Sequence, residues 1–197
     1  MLDRLLYPNY RAGPRVVSAE ESRQIQERHY GALRGSTVLD PLLNAARCGK
    51  PVSRAYALTA LSLIGDSRAR SLPLDALADP SPKVRLAATT CLRFSSEPAL
   101  ASHLIPILND LNAEVRQSAA RTLGCIGSTD AVPPLISYFE RGGPNDKAAA
   151  LDALGQIADP RSLPLARSAL EDAERKVRKA AKSALASYDM KRRALTG

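Results

Sequence analysis

The stretch Asn112-Ala-Glu-Val-Arg-Gln-Ser-Ala-Ala-Arg-Thr-Leu-Gly-Cys-Ile-Gly127 decides the fold. Its apolar residues Val115, Ala119, Leu123 and Ile126 fall at four- and three-residue steps, the period of one face of an α-helix. Gly127 is placed to end that helix, and Ser128-Thr129-Asp130 to cap another. Shifting the chain by 31 residues in either direction brings the same pattern back. One column then reads Leu61, Leu92, Leu123, Leu154 and Leu185, a second Ala57, Ala88, Ala119, Ala150 and Ala181. A third column is basic: Arg54, Arg85, Arg116, Lys147 and Arg178. Three columns that keep their character through five copies without an insertion mark a solenoid.

Each copy reads as two short helices. The second helix carries its own apolar step, in Leu74 with Leu77, Ile105 with Leu108, Ile136 with Phe139 and Leu163 with Leu170. Pro73, Pro133, Pro134 and Pro164 suit its first turn, where backbone N–H groups lack intrahelical partners; Pro106 lies deeper and is expected to bend its helix. Extended backwards, the register reaches Arg23, Tyr30 and Leu33, so residues 20–33 and 37–47 read as a degenerate first unit. The expected organisation is an extended arm at 1–19, a repeat domain at 20–190 and a basic tail at 191–197. That domain holds about five helix pairs and a closing helix from Glu174 to about Met190. The arm carries Tyr7 and Tyr10 with Leu5, Leu6, Val16 and Val17, which suits a strap across its own first helices, a contact with another subunit or, third, a disordered segment.

Composition agrees. The 197 residues include no Trp and 2 Phe, so the core must be built from Leu, Ile, Val and Ala, which favours closely packed helices. With 45% hydrophobic and 24% charged residues the chain reads as globular. No stretch is apolar over a bilayer's width and none resembles a signal peptide, which leads to an expected cytoplasmic location. Cys48, Cys91 and Cys125 are widely and unevenly spaced, which fits neither a disulfide framework nor a clustered metal site; Cys91 and Cys125 read as thiols packed in helices.

Asp-Pro-Ser-Pro-Lys-Val-Arg-Leu-Ala-Ala at 79–88, the stretch at 112–127 and Ala-Asp-Pro-Arg-Ser-Leu-Pro-Leu at 158–165 together resemble the short HEAT-like repeat of the phycobilisome-lyase type, over about residues 50–190. The resemblance implies an all-α, right-handed alpha-alpha superhelix of the HEAT and armadillo kind. It also implies a ladder in which an Asp and an Arg at fixed spacing join successive repeats: Asp79 with Arg85, Asp110 with Arg116 and Asp172 with Arg178. The fourth unit departs, having Arg141 and Lys147 beside Gly142-Gly143-Pro144, which makes the junction of the third and fourth units the expected place for a bend.

A curved stack of helix pairs offers a concave binding surface, so the functional expectation is a non-enzymatic adaptor or scaffold that holds a protein partner there. With the second helices taken as the concave lining, the candidate contacts are Arg68, Asp75, His103, Tyr138, Arg161 and Arg167. Tyr138 is the leading anchor, since Tyr and Arg are enriched among interface hot spots, with partial burial between the third and fourth units as the equal alternative. Much of the net charge of +8 sits near the C-terminal end, where Arg175, Lys176, Lys179 and Lys182 form a basic patch. That patch suits a solvated cap or an acidic partner, protein or nucleic acid. No cofactor, metal or catalytic group is expected: the histidines His29 and His103 stand in no ligand spacing, and the repeated His-Glu pairs of HEAT-like deoxyhypusine hydroxylases are absent. A bilin lyase or related chromophore-handling protein is the enzymatic alternative that the resemblance leaves open.

Overall fold

The computed structural model describes residues 34–93, 95 and 97–196. Its helices are α1 Asp40–Cys48, α2 Pro51–Ile64, α3 Leu72–Asp75, α4 Pro82–Leu92, α5 Ala101–Leu104, α6 Ala113–Ile126, α7 Val132–Arg141, α8 Pro144–Ile157, α9 Leu163–Ser168 and α10 Arg175–Thr196. Among the described residues there is no strand. The arm expected at 1–19 and the helix expected at 20–33 lie outside the described residues.

The even-numbered helices are the first helices of the repeat, and local chemistry delimits them. Pro51, Pro82 and Pro144 each stand in the first turn, where a missing N–H costs nothing. Asn112 caps α6 by accepting from the N–H groups of Glu114 and Val115. Gly65 and Gly127 close α2 and α6 in the left-handed conformation, at φ 69° and 75°. The closing helix does not stop near Met190: α10 continues to Thr196, so the separate tail expected from 191 is helical as far as that residue. In the repeat register Asp189 occupies the place of Gly65 and Gly127, so the glycine that ends α2 and α6 is missing there.

The odd-numbered, second helices are short and tighten into 3-10 turns at Ala76–Ala78, Ile105–Asn109 and Ala169–Glu171. Pro106 stands at the start of one such turn, where its ring and missing N–H end α5 rather than merely bending it. Helix α7, with Pro133 and Pro134 in its first turn, runs longer.

The core follows the repeat columns. All five residues of the alanine column are buried, as are Leu61, Leu92, Leu123 and Leu154, while Leu185 is half-buried on the last helix. A smaller cluster holds Leu43, Leu58, Leu61, Leu72 and Val84; a larger one runs from Leu77 to Ala181. Each first helix packs on the next, α2 on α4, α4 on α6, α6 on α8 and α8 on α10, which is the translational recurrence of a solenoid.

Candidate binding groove and the ladder beneath it

The basic column forms the ladder, one unit out of step with the pairing that the resemblance implies. Arg54 holds Asp79 through two parallel hydrogen bonds of 2.8 Å, and Arg85 holds Asp110 through bonds of 2.6 and 2.8 Å. Each Asp carboxylate is thus bound by the arginine of the preceding unit. The arginine of its own unit takes the carbonyl instead, as Arg85 Nη1 does with Asp79 and Arg116 Nη1 with Asp110. The same carboxylates also accept the N–H two residues on, at Ser81, Asn112 and Glu174. Burial works against ionisation of Asp79, yet Arg54 and the Ser81 N–H hold it below its ordinary value. Arg85 does the same for Asp110, and the Glu174 N–H with Lys147 for Asp172.

The departure at the fourth unit does not leave that junction unbridged. Asp146, at the start of α8, supplies the carboxylate that position 141 lacks: Arg116 donates to it at 2.8 and 3.1 Å and Gln117 at 3.0 Å. Lys147 continues the ladder with a single bond of 2.9 Å to Asp172, and Arg141 turns back to Asn109.

The second-helix residues expected to bind a partner fare differently from one another. Tyr138 is 1% exposed, packed beside Arg116 and Asp146, so it cannot serve as a surface anchor. Arg68 and Arg161 are exposed but occupied. Each chelates the Asp two residues before it, Asp66 or Asp159, and reaches back one unit to a carbonyl, Ser36 or Thr129. They are struts between repeats. Asp75, His103 and Arg167 are exposed on α3, α5 and α9.

Helix spacing decides which layer lies inside the curve. A Cβ added to Gly124 would lie 2.7 Å from the Ala153 Cα, and one added to Gly155 would lie 2.6 Å from the Ala184 Cα. The first helices α6, α8 and α10 therefore approach backbone to backbone. The second-helix layer is joined more loosely, α7 meeting its neighbours through the 3-10 turns at Ile105–Asn109 and Pro160–Ser162. In a curved stack the closer-spaced layer is the inner one, so the first helices form the concave face. This reverses the assignment of the concave lining to the second helices.

On that inner face a groove runs across α6, α8 and α10, with Arg93, just past the end of α4, at its edge. It is lined by Arg93, Arg121, Cys125, Asp152, Gln156 and, from α10, Ser183, Ala184 and Ser187. Two columns of the 31-residue register supply most of it: Arg121, Asp152 and Ser183 in one, Cys125, Gln156 and Ser187 in the other. None of these six side chains is needed by the core, and a partner laid along the groove meets one unit after another. Arg93 Nε is buried there without a hydrogen bond to any described residue. Desolvation pushes the Asp152 carboxyl up against the pull of Arg121, Lys176 and Lys179. Cys125 is exposed in the groove rather than packed in the helix core, and desolvation pushes its thiol up, partly offset by Arg93; that is the electrostatics of a contact thiol, not of an activated nucleophile. Sequence reasoning passed over these positions, although their polar columns, set against the buried Ala and Leu columns, were a visible signal.

Among the described residues no three His, Cys, Asp or Glu side chains are grouped to hold a metal, and no helix is long and apolar enough to cross a membrane.

Stacked helix pairs and a bonded ladder between them define an α-solenoid. The sequence matches the family of HEAT repeats over residues 39–110 and 100–186, and the chain belongs to that family. Among curated proteins none matches it. A designed armadillo repeat protein in complex with the peptide (KR)4 is similar in structure, with 18% identity, coverage of 87% of both chains and a TM-score of 0.62. Human deoxyhypusine hydroxylase in complex with glycerol is similar at 21% identity, with 88% of this chain and 81% of that one covered and a TM-score of 0.55. The CpcE–CpcF complex of phycocyanin lyase from Nostoc sp. PCC7120 is also 21% identical, with 90% and 73% covered and a TM-score of 0.54. At these identities the likeness is one of fold.

Proposed function

We propose that the chain is a non-enzymatic adaptor that holds a protein partner in the groove along its first helices. The observation that carries this reading is the groove itself: six polar side chains from three successive first helices, set on the inner face at register positions that the core does not use. Among them Arg121 stands exposed, a residue type favoured at interface hot spots. The similar armadillo structure holds a peptide, which supports the same use of a stack like this one. Affinity purification from the native host tests the reading. A partner retained by the wild-type chain and by His103→Ala/Arg167→Ala, but lost from Arg121→Glu/Gln156→Ala, supports the groove. Retention by the groove variant, with loss from the second-helix variant, overturns it.

A further inference from the structure

The ladder has a last rung with no carboxylate. Arg54, Arg85, Arg116 and Lys147 each hold an aspartate of the following unit. Arg178 makes the companion bonds of the column, from Nη1 to the carbonyls of Asp172 and Ala173 at 2.6 and 2.7 Å. The edge of its guanidinium that Arg54 and Arg85 give to Asp79 and Asp110 has no carboxylate among the described residues.

The hollow beside that edge is lined by cations alone. Arg175, Arg178, Lys179 and Lys182 line a single hollow on α10. In the repeat register Lys179 and Lys182 stand where α8 has Ala148 and Leu151, both buried in the core. This is therefore the face that a first helix turns toward the next unit, and on α10 it is cationic. The pairs Arg175 with Lys179 and Arg178 with Lys182 are four residues apart on one helix, an arrangement in which like charges repel. Asp152 and Asp172 act on Lys179 and Arg178 from the flanks, but no carboxylate lines the hollow itself, so the cluster around the open arginine edge is complementary to carboxylates.

We propose that the end face of α10 is a docking site for an acidic segment of a partner protein, one of whose carboxylates enters the open edge of Arg178 as Asp79 enters that of Arg54. The fit is for a carboxylate rather than a phosphodiester, because the ladder presents the same guanidinium edge to aspartate in each complete arginine rung. This site shares no lining residue with the groove on the inner face, although Lys179 also acts on Asp152 of the groove, and each site is tested through its own variants.

The test uses the full chain, with fluorescence anisotropy at low salt and two probes of equal charge: capped hexa-aspartate and heptathymidylate. Wild type should bind hexa-aspartate more tightly. Arg178→Lys keeps the charge but gives up the two-pronged edge, and Lys147 shows that lysine is accommodated at this register. It should weaken hexa-aspartate roughly tenfold, the loss of one charge-assisted hydrogen bond, while moving heptathymidylate far less. Lys179→Glu/Lys182→Glu should abolish hexa-aspartate binding, and Arg121→Glu should leave it intact. Tighter binding of heptathymidylate, an unchanged hexa-aspartate affinity in Arg178→Lys, or no binding by wild type would each overturn the proposal. Thermal melts of every variant confirm that it is folded.

Discussion

The two helix layers are built from the same repeat and behave differently. First helices such as α6 and α8 are continuous through 14 residues each, whereas α3 and α5 give way to 3-10 turns after 4 residues each. Glycine and alanine let the first helices meet backbone to backbone, while proline and 3-10 geometry keep the second helices short and more loosely joined. The tight layer fixes where the inner face lies and which side chains project from it. The loose layer supplies filling, through Leu104, Leu135 and Tyr138, and struts, through Arg68 and Arg161.

The sharpest way to break this comparison is to enlarge a residue at the closest approach. Gly155→Leu forces its side chain into the Ala184 backbone, which cannot turn aside as a flexible side chain would. The expected cost is about 3 kcal/mol or more, the upper end of overpacking, read as a lower midpoint in chemical denaturation. Gly155→Ala is the finer probe. Helix propensity alone favours alanine by about 1 kcal/mol, so a net loss of stability shows that the contact wins. A gain would show that the first helices are not packed this closely.

The ladder ranks next. Arg85→Ala removes two bonds to Asp110 and two to backbone carbonyls, leaving a largely buried carboxylate with the Asn112 N–H but no cation bonded to it, with an expected loss of about 2 kcal/mol. Lys147→Ala removes one bond to Asp172 and should cost about 1 kcal/mol. Equal losses would mean that the forked pairing adds nothing over a single bond. Acid gives an independent reading of the same rungs. Asp79, Asp110, Asp146 and Asp172 are all held below their ordinary values, so their contribution is fully present above the unfolded carboxyl pKa of about 3.9 and is lost as pH falls through the lower folded values. The stability gap between wild type and Asp110→Ala should therefore be constant near neutral pH and close on acidification below that point.

Much of this was legible in the sequence because the repeat made each residue a member of a column. The buried Ala and Leu columns and the basic ladder column are identified by register alone; the pairing taken from the resemblance is off by one unit, because the carboxylate of Asp79 goes to Arg54 and only its carbonyl to Arg85. For Tyr138 the sequence left surface anchor and burial equally open, since the exposed side of a short helix depends on its rotation. With Pro133 and Pro134 in its first turn, α7 places Leu135, Tyr138 and Phe139 together on its buried face. Arg68 and Arg161 did carry a warning, an Asp two residues before each, the spacing at which the two side chains pair. The inner face depends on the relative spacing of two layers, and no single column states it. Only the small residues Gly124, Ala153, Gly155 and Ala184 hint at it.

The smallest effect concerns how a first helix ends. Gly65 and Gly127 close α2 and α6 in the left-handed region, and Ala158 closes α8 there at φ 55°, its N–H bonded to the Leu154 carbonyl as theirs are to Leu61 and Leu123. An alanine in that region brings its Cβ toward a carbonyl oxygen, a strain of about 1 kcal/mol that glycine escapes. Glycine gives back part of this through its greater freedom in the unfolded chain. Ala158→Gly should thus stabilise the protein by about 0.5 kcal/mol, a small rise in melting temperature. The reverse change, Gly127→Ala, should lower it by a similar amount, since a Cβ at Gly127 meets nothing within 4 Å and backbone strain is the only cost. If both substitutions shift the melting temperature in the same direction, the caps of α6 and α8 are not equivalent and the regularity of the first-helix layer ends at its fourth unit.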